Sequence, residues 1–151
     1  MKFKVLEIEA SMTYPLRHEL LRKGQPYKSC FFDYDKAKET IHLGAFHSKK
    51  LIGILSAFQK TLPQNIDLKA VQLRAIAVEP TFQRKGIASM LIKHALQKII
   101  LNQSPDCIWL NARVQANTLY LENGFTPIGE SFEIKSIGKH QRFIKYICNE
   151  R

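Results

Sequence analysis

Gln83, Arg84, Lys85 and Gly86, followed at once by Ile87, Ala88 and Ser89, are the residues of this chain best suited to hold an anion. They lie in the stretch LRAIAVEPTFQRKGIASML, Leu73 to Leu91, where an apolar strand leads through a glycine-containing turn into an amphipathic helix. Glycine permits close backbone approach, and a small residue such as Ala88 leaves the first helical turn uncrowded. The unpaired N–H groups at such a helix start, with the positive end of its dipole, favour phosphate. Arg84 and Lys85 add positive side chains at the same spot. A plain N-cap turn uses similar residue types, so the pattern gains meaning only from what surrounds it.

The elements that must position this loop can be read from periodicity. Lys2 to Glu9 alternates like a strand, and a helix is expected over about Ser11 to Lys23, with Ser11 as its cap and Gly24 as its stop. GQPYKSCFFDYD reads as a loop. Thr40–His47 and Leu51–Phe58 are β-rich runs joined by a Ser-Lys-Lys link, which predicts a hairpin in which Gly44 and Gly53 mark bulges or tight packing. Val71 to Val78 is the next strand, stopped by Pro80. From about Gln83 to Leu101, Ile87, Leu91, Ala95 and Ile99 recur four apart, as do Ala88, Ile92, Leu96 and Ile100, giving a broad buried helical stripe. A strand over Cys107–Ala112 follows, then a short helix over Gln115–Glu122 ended by Asn123-Gly124. Two last strands, about Thr126–Glu133 and Gln141–Cys148, are joined around Gly138. The order predicts an α/β chain with a mixed sheet.

At 151 residues and 45% hydrophobic content, one compact domain spanning 1–151 is expected. No run approaches the ~20 apolar residues of a membrane span, and the chain reads as cytoplasmic. Cys30, Cys107 and Cys148 lack any metal-ligand spacing and read as reduced, semi-buried thiols. His42 and His47, five apart on a strand, fall on opposite faces, so no metal is predicted. Twenty-three Lys and Arg against thirteen Asp and Glu give a net charge of +10, which favours anionic ligands. The charges are spread along the chain and not interleaved with aromatics, so a nucleic-acid platform is not indicated.

With LRAIAVEPTFQRKGIA read as strand, phosphate loop and helix, the chain resembles the GNAT family of N-acetyltransferases, which bind acetyl-coenzyme A. The family's loop pattern, Gln/Arg-x-x-Gly-x-Gly/Ala, is met by Gln83, Gly86 and Ala88, and the strand before it ends in Val78-x-Pro80. About thirty residues later ANTLYLENGF is similar to the family's second cofactor segment, with its tyrosine and Gly-Phe turn. The wider text, including PLRHELLRKGQP, CFFDYD, LIGILSAF and GESFEIKSIGKH, is similar to small bacterial GNAT proteins with little assigned substrate information. Ala88 stands where glycine is also used, and Arg84-Lys85 where many members carry Arg-Gly-Lys. Neither departure removes a backbone donor.

The resemblance implies a mixed, mainly antiparallel sheet of about seven strands flanked by helices. It also implies that the main chain of Ile76, Ala77 and Val78 pairs with the cofactor's pantetheine arm, and that the Val78 N–H polarises the thioester carbonyl. Arg84 to Ser89 would hold the pyrophosphate. Tyr120 would protonate the departing thiolate, and Asn117, three residues earlier, would contact the cofactor. Direct attack requires a neutral amine, for which Glu133 or His140, flanking the last inter-strand connection, is the candidate base. Glu79 reads as a strand-end carboxylate instead. Arg17, Arg22, Arg74 and Arg113 would suit an anionic acceptor if two or more converged, and otherwise read as surface arginines. The function expected is acetyl transfer to an amine of a small molecule or peptide. A non-catalytic coenzyme A-binding regulatory module and a basic nucleic-acid- or ribosome-associated protein stand as alternatives, and a homodimer is left open.

Overall fold

The computed structural model describes residues 2–135 and 137–147, so Cys148, at the end of the last expected strand, lies outside the described residues. Seven strands form one sheet in the order β1-β2-β3-β4-β5-β7-β6, and the chain divides by contacts into two compact units. The first comprises Met1–Phe58 with Arg74–Gln97, and the second Gln59–Leu73 with Lys98–Arg151.

In the first unit β1 (Phe3–Glu7) pairs antiparallel with β2 (Ile41–His47), which pairs antiparallel with β3 (Lys50–Gln59). The expected hairpin is present, and its turn holds Ser48 at φ 54°. The register shifts between Ala45 and Phe46, one residue beyond Gly44, and this bulge interrupts the alternation counted between His42 and His47. The two histidines nevertheless have separate surroundings, since His47 packs on Phe3 and Phe82 while His42 bonds to Ser56 and Asp35. Burial runs almost unbroken along β2 and β3, as both their faces are covered.

Helix α1 spans Ala10–Leu21, one residue earlier than expected, with Glu9 and not Ser11 at its N-cap and no side-chain cap bond. Pro15 lies inside it and cannot donate a backbone bond to Ser11. The expected loop after it contains a 3-10 turn over Tyr27–Cys30. Arg17 of α1 is fully buried, which overturns its reading as a surface arginine. It donates to both carboxylate oxygens of Asp35 at 2.8 and 3.0 Å, to the Cys30 carbonyl at 2.8 Å and to Ser56 Oγ at 3.0 Å.

His42 completes this network, with Nε2 2.8 Å from the Asp35 carbonyl and Nδ1 2.7 Å from Ser56 Oγ. The carbonyl can only accept, so Nε2 carries the proton and Nδ1 accepts from the serine. Burial pushes the His42 pKa below the ordinary value, against the opposing pull of Asp35. The unfolded chain therefore binds this proton more readily than the folded one. The stability at stake is fully present above the unfolded pKa of about 6.5 and is lost as pH falls through the lower folded value. His42→Gln should show a flatter fall in Tm between about pH 7.5 and about pH 5 than the parent. Equal slopes would remove His42 as the source.

Helix α2 spans Ile87–Gln103, four residues later at its start than predicted, because Arg84 at φ 62° and Gly86 at φ 80° are left-handed. Its first stripe is buried throughout, from Ile87 through Leu91 and Ala95 to Ile99, whereas in the second Ile92 is buried and Ile100 exposed. Each four-residue step overshoots a 3.6-residue turn by about 40°, so a row starting nearer the edge drifts into solvent.

In the second unit, the first residues of β4 (Ala70–Val78) pair parallel with β5 (Cys107–Arg113) as Ala70↔Cys107, Val71↔Ile108 and Gln72↔Trp109. β5 pairs antiparallel with β7 (Gly138–Tyr146), and β7 with β6 (Thr126–Ile134). Trp109, Cys107, Ile144, Leu62 and Ala70 form a buried cluster, and the Trp109 indole N–H donates to the Lys60 carbonyl at 3.0 Å. The expected Gln115–Glu122 helix is a 3-10 turn over Val114–Ala116 followed by α3 (Asn117–Glu122). Gly124 at φ 86° ends it, as Asn123-Gly124 predicted.

Candidate functional site

The loop's geometry is built from β4 upward. The strand is buried over Ala70–Leu73 and half-exposed over Arg74–Val78, and Ala75 sits at φ 54° just beyond the last β4–β5 pair, Gln72↔Trp109. A left-handed residue with a Cβ costs about 1–2 kcal/mol, so the surrounding fold imposes this break in the strand. The strand end is fixed by Glu79 N–H donating to the Ile52 carbonyl at 2.9 Å and by the Gln83 side-chain amide donating to the Val78 carbonyl at 3.0 Å. Gln83 is thus spent on shaping the loop. Glu79, read as a strand-end carboxylate, lies 3.2 Å from the Lys50 ammonium. Gly53 of β3 lies beneath the turn. A Cβ there would stand 3.4 Å from the Ala77 carbonyl, Ile87 and Leu91, so a bare backbone allows that approach.

After a 3-10 turn at Pro80–Phe82 the chain passes through left-handed Arg84 and Gly86 into α2, whose first bond runs from Met90 N–H to the Gly86 carbonyl at 3.0 Å. Such a change of hand directs successive amides to one side as an anion-binding concavity. Gln83 through Gly86 are exposed, and nothing lies within 4 Å of where a Gly86 Cβ would stand. Ile87, 2% exposed, anchors the start of the helix, while Ala88 and Ser89 are half-buried beside the loop.

In the second unit Asn117 opens α3, and its Oδ1 is buried without a hydrogen-bond partner. A buried acceptor left alone costs about 1–3 kcal/mol, so a ligand N–H that reached it would remove a standing penalty. Within the first unit the open Gly86 turn suits a phosphate, and within the second the orphaned Asn117 oxygen suits an N–H donor. Tyr120 is 7% exposed, tilted against Phe143 at 5.9 Å and edge-on to Phe125 at 6.3 Å. Burial among these rings pushes its phenol up to about 12, above the ordinary ~10 assumed from sequence. No group among the described residues hydrogen-bonds the Tyr120 hydroxyl.

Glu133 and His140 do not share a face. In the β6–β7 ladder Glu133 stands opposite Lys139 and His140 opposite Phe132, so the two candidate bases project to opposite sides. Glu133 is exposed, while His140 is 6% exposed and stacked on Phe132 at 6.0 Å. His140 Nδ1 lies 2.8 Å from the Gly138 carbonyl, which makes Nδ1 the donor and leaves Nε2 able to accept a proton.

Of the four arginines, Arg113 is exposed in the second unit, and Arg17, Arg22 and Arg74 converge in the first on the ring of Phe32. Phe32 and Asp35 of CFFDYD, and Gln72 of β4, were not singled out from sequence. Gln72 is 6% exposed with an unpartnered Oε1, and its only sequence signal is a lone amide in the apolar run AVQLRAIAV. Among the described residues no group of three or more His, Cys, Asp or Glu side chains could hold a metal ion, and no helix is long and apolar enough to cross a membrane.

Residues 5–125 match the family described as Acetyltransferase (GNAT) family. An uncharacterized N-acetyltransferase of Bacillus subtilis, YitI, is 33% identical over 148 residues, covering 98% of this chain and 99% of that protein. Arabidopsis thaliana NAA60, solved with a bisubstrate analogue, superposes with a TM-score of 0.76 at 14% identity, covering 99% of this chain and 100% of that one. An aminoglycoside 6'-N-acetyltransferase solved with coenzyme A superposes with a TM-score of 0.74 at 13% identity, covering 98% and 99%. At these identities the solved structures speak to fold alone, and the seven-stranded sheet agrees with them.

Proposed function

We propose, from the premise that this chain belongs to the acetyltransferase (GNAT) family, how its residues bind acetyl-coenzyme A and pass the acetyl group to an amine of a small molecule or peptide. The observation that carries the assignment is the loop: left-handed Arg84 and Gly86, open space at Gly86, and a 17-residue helix beginning at Ile87. The family match crosses both compact units, which supports a single catalytic domain over 1–151. The buried free thiols Cys30 and Cys107 suit a reducing cytoplasm.

Acetyl-coenzyme A supplies the acetyl group as a thioester. Backbone amides from Arg84 to Ser89 hold its pyrophosphate, with the Arg84 and Lys85 side chains offsetting charge, and Asn117 Oδ1 accepts from an amide N–H of the pantetheine arm. Ile76, Ala77 and Val78 present main chain to that arm, and the Val78 N–H donates to the thioester oxygen as negative charge grows there. His140 Nε2 takes the proton of the acceptor ammonium. It is preferred to Glu133 because its tautomer is already fixed for accepting. The carbon–nitrogen bond forms as the carbon–sulfur bond breaks, Tyr120 donates its phenolic proton to the departing sulfur, and the second proton lost by the nitrogen restores the phenol.

Gly86→Ala tests the cradle. A methyl at φ 80° costs about 1–2 kcal/mol of backbone strain and stands where phosphate would approach. Calorimetry should find acetyl-coenzyme A binding to the parent and weakened about tenfold or more in the variant. Absence of binding to the parent at millimolar ligand would reject the reading.

A further inference from the structure

Three guanidinium groups surround Phe32 in the first unit. The carbon of Arg17 stands 3.9 Å from the ring centroid, that of Arg74 4.4 Å and that of Arg22 5.6 Å. They are not equivalent. Arg17 is fully buried and neutralised by the two-pronged pair with Asp35, whereas Arg22 and Arg74 are half-buried, and among the described residues no carboxylate lies within 4.0 Å of either. The Phe32 ring face offsets part of their cost, as guanidinium-ring contacts do, but it leaves their planar donors unfilled.

The balance of charge around Arg74 points the same way. Burial lowers its pKa most, Arg22 and Arg17 push it down further, and Asp35 and Asp33 oppose them. Asp35 is already committed to Arg17, and Asp33 is exposed. Two mutually repelling cations therefore share one aromatic ring without a counter-ion of their own among the described residues.

We infer that Arg22 and Arg74 bind an anionic group, a carboxylate or a phosphate ester, carried by the acceptor amine. This rests on the acetyltransferase reading of β4. Arg74 precedes Ile76–Val78 on the same strand by two to four residues, at most about 7–13 Å of chain at ~3.3 Å per residue, since left-handed Ala75 interrupts the extended path. The acceptor's amine accordingly stands several atoms from its anion, as in a diamino acid or an amino-sugar phosphate. Polyamines and other purely cationic acceptors are disfavoured, since two guanidinium groups repel them.

The test pairs each anionic acceptor with a counterpart lacking the anion, lysine against cadaverine and glucosamine 6-phosphate against glucosamine. In at least one pair, kcat/KM should be about tenfold or more higher for the anionic member, and Arg22→Gln or Arg74→Gln should collapse that ratio through KM with the acetyl-coenzyme A Kd unchanged. The pair that responds distinguishes carboxylate from phosphate. A preference for cadaverine and glucosamine, or a ratio indifferent to both substitutions, overturns the inference. A second arm needs no turnover: inorganic phosphate and N-acetyllysine are titrated against the parent and both variants by NMR. Binding lost in the variants sustains the anion site even where acetyl-coenzyme A fails to bind, in which case only the reading of the loop falls. Shifts that are absent or unchanged by the substitutions overturn it.

Discussion

Tyr120→Phe is expected to lower kcat about 10²-fold or more while leaving the acetyl-coenzyme A Kd essentially unchanged, because the substitution removes the proposed proton donor and little else. The hydroxyl has no partner among the described residues, so its loss orphans nothing, and the ring keeps its contacts with Phe125 and Phe143. Burial holds the phenol at about 12, so it remains protonated across any working pH. A thiol's ordinary value is about 8.5, which makes complete transfer to a free thiolate uphill by a few units. The proton should therefore move only as charge builds on the leaving sulfur. Tyr120 should also set no alkaline limb in the kcat profile below about pH 11. Stopped-flow or steady-state kinetics with calorimetric Kd values decide the matter. An unchanged kcat with weakened binding would make Tyr120 a packing residue.

Arg17→Met should destabilise the chain by about 3–5 kcal/mol, since it leaves the Asp35 carboxylate buried without its cation. The residue makes four hydrogen bonds with Asp35, Ser56 and the Cys30 carbonyl, and it covers one side of the Phe32 ring. For a chain of this length that corresponds to a fall in Tm on the order of 10 °C. Removing both charges in Arg17→Met with Asp35→Leu should recover much of the loss, because an apolar pair of similar volume avoids the desolvation of two ions. Thermal or urea unfolding of both single variants and the double one measures the coupling. A single variant within about 0.5 kcal/mol of the parent would show the pair to be surface-like, contrary to its burial.

The elements legible in the sequence are those whose cause is local. The stripe of Ile87, Leu91, Ala95 and Ile99 predicts a helix by spacing alone, and these four side chains are buried as the pattern requires. Asn123-Gly124 predicts a helix end, and Gly86 a loop that strand and helix must flank. The errors arise where a distant segment decides. Four arginines in the text look alike. Arg17 becomes a core residue because Asp35, eighteen positions away, and Ser56, thirty-nine away, meet it inside the fold. Arg22 and Arg74 become a pair because Phe32 stands between their elements.

By itself, then, the sequence determined the family's signature, the seven strands and the glycine turn between β4 and α2, since spacing, glycine placement and hydrophobic period are properties of neighbouring residues. Tertiary structure alone decided the rest. It raised the Tyr120 phenol by enclosing it between rings from other elements, and it set Glu133 and His140 on opposite faces through ladder register. It also divided the four arginines into one neutralised by Asp35, one exposed, and two with no carboxylate within 4.0 Å among the described residues. Burial, register and pairing depend on contacts between residues far apart in the chain, and those are what set the charge and proton affinity of a side chain.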